Sequence, residues 1–111
     1  MYFPLQDIRT AKQILWTTHT APVVIFKHDP RNPVSHDAKT HVERFFKEHS
    51  EPEVYVLDVL SHQLVSAFIE QVTKIKHETP QTIIISNGKT RVLNQRAIDF
   101  IALEGLISST T

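Results

Sequence analysis

No cysteine occurs among the 111 residues of this chain. That absence excludes structural disulfides, thiolate zinc centres and any reaction in which a cysteine thiolate is the nucleophile. Glycine is almost as scarce. Only two are present, Gly88 and Gly105, and neither lies in a phosphate-cradling loop or a glycine-rich nucleophile elbow. Neither sign of charge is in excess, with twelve Lys and Arg against twelve Asp and Glu, so no global field draws the chain to nucleic acid. No apolar run approaches the roughly 18 to 20 residues needed to cross a bilayer, which argues against a membrane partner. Residues Met1 to Asp7 lack the charged and apolar regions of a signal peptide, and with no cysteine to oxidise, the cytoplasm is the expected compartment.

What is present is ordinary globular material. Hydrophobic residues make up 41% and charged residues 22%, and this length suits one domain over residues 1–111 with a core that needs neither disulfide nor metal. Asp7 is placed to cap a first helix carrying Ile8, Ala11, Ile14 and Leu15 and ending between Trp16 and Thr20. Val23-Val24-Ile25-Phe26 is continuously apolar and β-branched, as in a central strand covered on both faces, with Lys27 and His28 at its carboxyl end. A second helix follows from Pro33, with Val34, Ala38, Val42, Phe45 and Phe46 facing in and Ser50-Glu51-Pro52 as its stop.

Val54 to Val59 reads as a second buried strand, and Ser61 as the cap of a third helix carrying Leu64, Val65, Phe68, Ile69, Val72 and Ile75. Thr82-Ile83-Ile84-Ile85 and Arg91-Val92-Leu93 flank Asn87-Gly88, a strong two-residue hairpin signal. A last helix is expected with Ile98, Ile101, Ala102 and Leu106 inward and with residues 108–111 frayed. This order predicts an α/β fold of thioredoxin-like type. Its sheet has four strands, a parallel pair plus an antiparallel hairpin, with helices on both faces. The second helix then projects its amino end from the carboxyl edge of the first strand, the usual ligand position in such sheets.

Two segments carry a more specific likeness. Lys27-His28 leading into Arg31-Asn32-Pro33-Val34-Ser35, and His77-Glu78-Thr79-Pro80-Gln81 before the hairpin, resemble the YtxJ-type monothiol bacilliredoxins of the bacillithiol system over nearly the whole length. In that family a Lys-His strand end runs into Thr-Cys-Pro-Ile-Ser, and a His-Glu-Ser-Pro-Gln segment precedes the hairpin. The resemblance implies that Asn32 stands at the attacking-cysteine position, that Ser35 matches the serine at the resolving position, and that Pro80 is held in cis. It also implies a ligand groove of His28, Asn32, Pro33, Ser35, Thr79 and Pro80, open to an extended peptide or a low-molecular-weight thiol such as bacillithiol.

A carboxamide neither ionises nor forms a mixed disulfide, so Asn32 supplies no exchange chemistry and no catalytic residue is assigned. Two readings of function result. One is a non-catalytic binding or stress-associated module; the other is a thiol-disulfide oxidoreductase seen in an inactive Cys-to-Asn form. A purely structural explanation of Asn32-Pro33 also stands, since Asn is a favoured helix cap and Pro suits the first helical position. An anion at that helix end would find Lys27, His28 and Arg31 nearby.

The seven histidines suggest no closed metal site, because only His28 and His77 are expected to converge and two ligands are too few. No metal and no cofactor are expected. His28, Asp29 and Ser35 lack the setting of a hydrolase triad. Lys74, Lys76, Lys89, Arg91 and Arg96 interleave with other residue types as a solvated face, and Trp16 is expected to pack. The expected assembly is a monomer or weak homodimer.

Overall fold

The computed structural model describes residues 2–49, 51–95 and 98–108. The expected stop at Ser50, the solvated position of Arg96 and the fraying of residues 109–111 fall outside them, while Ser108, also expected to fray, is the last residue of the final helix. The elements in order are β1 (Tyr2–Pro4), α1 (Ile8–Thr17), β2 (Val23–His28), α2 (Pro33–Lys47), β3 (Glu53–Asp58), α3 (Gln63–Thr73), β4 (Gln81–Ser86), β5 (Lys89–Asn94) and α4 (Phe100–Ser108). They form one sheet of five strands in the order β1-β3-β2-β4-β5, in which β1, β3 and β2 are parallel and β4 and β5 antiparallel. The expectation of four strands is corrected by β1. Its three residues Tyr2-Phe3-Pro4 pair with Val54-Tyr55-Val56. Pro4 is tolerated there because an edge strand has a side that needs no donor.

Strand alternation divides the core in two. Val24, Phe26, Val54 and Ile84 point to one face, where Ala38, Val42, Phe45 and Phe46 of α2 and Leu103 and Leu106 of α4 cover them. Val23, Ile25, Leu57, Ile83 and Ile85 point to the other, against Ala11 and Ile14 of α1 and Val65 and Ile69 of α3. β2 is buried at every position because it lies in the middle of the sheet beneath both layers. The hairpin turns at Asn87 and Gly88, both at positive φ (48° and 78°), the pairing that a two-residue turn between right-twisted strands requires.

Several sequence expectations are corrected at the helix surfaces. Ile101 is 82% exposed, and Leu103, with Leu106, faces in instead. α4 is apolar nearly all round, so its sequence shows no single stripe from which the inward face can be read. Leu64 and Val72 of α3 are exposed, and so is Trp16, at 76%. The indole edge meets the His19 ring rather than the core. The cap of α3 is His62, without a side-chain bond to the helix, instead of Ser61. Asp58 takes over the local role, its Oδ1 accepting from the backbone N–H of Leu60 at 3.0 Å and of Ser61 at 3.1 Å.

Candidate functional site

Three pieces of backbone meet at the carboxyl end of β2. Lys27 pairs with Gln81 in the antiparallel β2–β4 ladder, which sets Pro80 beside His28. The Thr79-Pro80 peptide is cis, as is Glu51-Pro52, which the sequence did not single out. The Pro80 carbonyl accepts from Gln95 N–H at 2.7 Å, tying it to the end of β5. Thr79 is half-buried, and its main-chain N–H and C=O have no partner among the described residues.

The third piece is the start of α2. Asn32 is its N-cap with extended backbone, and its Oδ1 accepts from Val34 N–H at 2.9 Å. Pro33 follows at the first helical position, where its missing donor leaves nothing unsatisfied. Asn32 is half-buried and Pro33 exposed, so both are reachable from solvent. Asp29 organises the approach to the helix: Oδ1 accepts from the backbone N–H of Arg31 at 2.9 Å, and the guanidinium pairs with the carboxylate at 3.3 Å. The carboxylate bonds Arg31 and makes no hydrogen bond to His28 among the described residues, and His28, Asp29 and Ser35 form no triad.

Ser35 is fully buried and cannot touch a ligand directly. Its Oγ lies 2.7 Å from His28 Nδ1 and accepts from Asp29 N–H at 3.0 Å. No further acceptor faces the hydroxyl among the described residues. The network that leaves no proton idle therefore has Ser35 donating to Nδ1, which puts the imidazole proton on Nε2. His28 is 5% exposed, and burial, aided by the charges of Lys39 and His36, holds its pKa below the ordinary 6.5.

The expected convergence of His28 with His77, and the expected place of Lys27 beside the start of α2, are overturned by strand parity. Residues 27 and 28 are neighbours on β2, so their side chains leave from opposite faces. His28 points to α2, whereas Lys27 points to the α1/α3 side. There the fully buried Lys27 places Nζ 3.1 Å from His77 Nδ1, and Ser66 Oγ stands 3.1 Å from the same nitrogen. Glu70 accepts from His77 backbone N–H at 2.7 Å and supplies the anionic charge nearest this cluster. Burial lowers the Lys27 pKa, with Glu70 opposing; burial and then Lys27 lower that of His77. Lys27 thus lies away from the start of α2, and Arg31 is occupied by Asp29.

A pH dependence follows from the two histidines. Each has a folded pKa below the ordinary 6.5, so their contribution to stability is complete above that value and lost as pH falls from it through the lowered folded values. The thermal midpoint is expected to hold from about pH 7.5 to about pH 6.5 and to drop toward about pH 5.5, where most carboxylates remain ionised. A midpoint flat across that interval would show that neither ring is held neutral.

Among the described residues, no group of three or more His, Asp or Glu side chains is placed to hold a metal ion. Nor is any helix among them long and apolar enough to cross a membrane.

A strand leading into an Asn-Pro helix start opposite a cis-proline segment, on a mixed sheet with helices on both faces, defines a protein of the thioredoxin fold. Solved structures show the same fold. A thioredoxin-fold protein superposes with a TM-score of 0.86 at 24% identity, covering 96% of this chain and 93% of its own. Thioredoxin from Fasciola hepatica gives 0.79 at 16% identity, covering 97% and 98%. A mutant thioredoxin from Halobacterium salinarum gives 0.76 at 17% identity, covering 99% and 90%. Within that class, residues 3–99 match the family described as Monothiol bacilliredoxin BrxC, and the chain belongs to it. It does so without the thiol that gives the family its description.

Proposed function

We propose that this chain is a non-catalytic member of the bacilliredoxin family, a binding module that receives a low-molecular-weight thiol or an extended peptide between the start of α2 and the Thr79-Pro80 segment. The observation that carries this reading is Asn32. A carboxamide occupies the position that the family motif gives to cysteine, and it is bonded into the helix cap, while the frame around it is kept. The main-chain N–H and C=O of Thr79, unpaired among the described residues, suit the backbone of an extended peptide. Without sulfur at position 32, occupancy is reversible and leaves no covalent trace. In a cell that uses bacillithiol, such a module would act in the cytoplasm during thiol stress by sequestering a thiol or a thiol-modified segment.

The test is a thermal-shift panel of bacillithiol, cysteine, glutathione and their disulfides, followed by amide NMR with any compound that stabilises. A ligand at one hundred times its Kd raises stability by about 2.7 kcal/mol, and the perturbed amides should include Thr79, Asn32 and Val34. Binding that leaves these three amides unmoved, or no stabilisation by any compound or by a thiol-modified peptide, would overturn the reading.

A further inference from the structure

The connections of the sheet open a second place for a ligand beside His28. β2 continues into α2 on one face, while its neighbour β3 continues into α3 on the other. A crevice must therefore form outside the carboxyl ends of β3 and β2, the topological switch point at which open α/β sheets receive ligands. The structure has a cleft of about 290 Å³ there. Its walls include Pro4 at the end of β1, Val56 and Asp58 of β3, His28 of β2, Lys39 of α2 and His62 at the start of α3.

The polar atoms of this cleft are specific in kind. The His28 Nδ1 edge is committed to Ser35, which leaves Nε2–H as a donor on a ring 5% exposed. That donor has no partner among the described residues. Among the described residues the buried side-chain atoms left without a partner are Gln81 Oε1 and Thr82 Oγ1, not this nitrogen, so His28 Nε2 touches solvent, where water or a ligand supplies its acceptor. Lys39 adds an ammonium, held among the described residues by Glu43 alone, at 3.5 Å across a half-exposed pair, an ion pair of the kind that exchanges cheaply. Asp58 is the register partner of His28. Its Oδ1 is taken by the loop N–H groups, while Oδ2 is unpaired among the described residues. His28 and Lys39 thus bring donors and Asp58 an acceptor to a cleft that Gln6, His62, Pro4 and Val56 also line.

We propose that this cleft is a subsite for an amino-acid head group, with the ligand carboxylate on His28 Nε2–H and Lys39 Nζ and its ammonium on Asp58. The proposal rests on the reading of the neighbouring groove as a thiol-binding site and names the part of the ligand that selects it. A thiol-bearing amino acid would span from the cleft toward Asn32, with His28 as the wall common to both.

The experiment is an NMR titration of the full chain with L-cysteine, L-cysteinamide and N-acetyl-L-cysteine, following the His28 and His62 ring signals, the Lys39 amide, and the Thr79 and Asn32 amides. L-cysteine is expected to move His28 and Lys39, while cysteinamide, lacking the carboxylate, binds roughly tenfold or more weakly. The Lys39→Met variant should lose a similar factor for L-cysteine with an unchanged thermal midpoint. N-acetyl-L-cysteine, without an ammonium for Asp58, should also bind more weakly. Equal affinity for cysteine and cysteinamide, or shifts confined to Thr79 and Asn32, would overturn the subsite while leaving the groove reading intact. Shifts at His28 and Lys39 that spare Thr79 and Asn32 would support the subsite and count against the groove. Silence at both places would overturn the subsite and leave the groove to the thiol, disulfide and peptide panel.

Discussion

The Asn32→Cys variant is expected to form a mixed disulfide with glutathione disulfide or bacillithiol disulfide, a reaction for which the parent chain has no atom. At the cap of α2 a sulfur would take the place of Asn32 Oδ1, which accepts from Val34 N–H at 2.9 Å. An acceptor at a helix amino end is favoured when it is negative, so the thiol pKa should fall below the free value of about 8.5 and the thiolate should predominate near neutrality. That thiolate attacks one sulfur of the added disulfide; the old S–S bond breaks, a new one forms to position 32, and the other half leaves as a thiolate. Intact mass should rise by one thiol moiety, and excess dithiothreitol should reverse it.

Two features of the site sharpen this expectation. Ser35 Oγ is bonded to His28 Nδ1 and Asp29 N–H, so the new thiolate depends on backbone donors, and adding Ser35→Ala should lower stability more than it changes the thiol pKa. Removing the Asn cap should itself cost about 1 kcal/mol. A cysteine placed on the exposed hairpin, as in Lys89→Cys, is the reference. If position 32 reacts no faster than that reference, the helix end confers no activation, and the retained frame no longer supports either a binding module or a disabled exchange enzyme.

How much of this was legible in the sequence depended on whether a single local signal sufficed. Central strands, helix 2 and the hairpin were readable because Val23 to Phe26, the Ala38-Val42-Phe45 spacing and Asn87-Gly88 each carry a strong period or turn signal. The short edge strand β1 carries none: three residues ending in proline show no alternation, and only the partner in β3 makes them a strand. The site was legible as motifs but not as faces. Grouping Lys27 with His28 treated adjacent residues as neighbours in space, and the parity of β2, available from the sequence, would have separated them. The switch-point cleft needed β1 and the α3 cap, both read differently from sequence, and therefore could not be assembled from motifs. Asp58, Lys39 and His62 come together only through topology.

The largest loss of stability is expected from Phe45→Ala. Phe45 is 1% exposed on the inner face of α2. Its ring lies parallel to His49 at 4.2 Å between centroids and meets Phe46 at 4.9 Å and Phe100 of α4 edge-on at 5.1 Å. The space that truncation leaves is lined by Phe46 on α2, His49 just past its end and Phe100 on α4. Truncation therefore removes the transfer free energy of the ring and leaves a cavity, together about 3–5 kcal/mol. Against a typical total of about 5–15 kcal/mol this is a large fraction. Urea unfolding should show the midpoint displaced to much lower concentration with a similar slope. The consequence reaches the site, since Phe45 anchors the carboxyl-terminal half of the helix whose first turn presents Asn32. Ligand affinity in Phe45→Ala should fall by the fraction of molecules still folded at the working temperature and no further. A loss of under about 1 kcal/mol would mean that the aromatic cluster repacks, and that α2 is held chiefly by Ala38 and Val42.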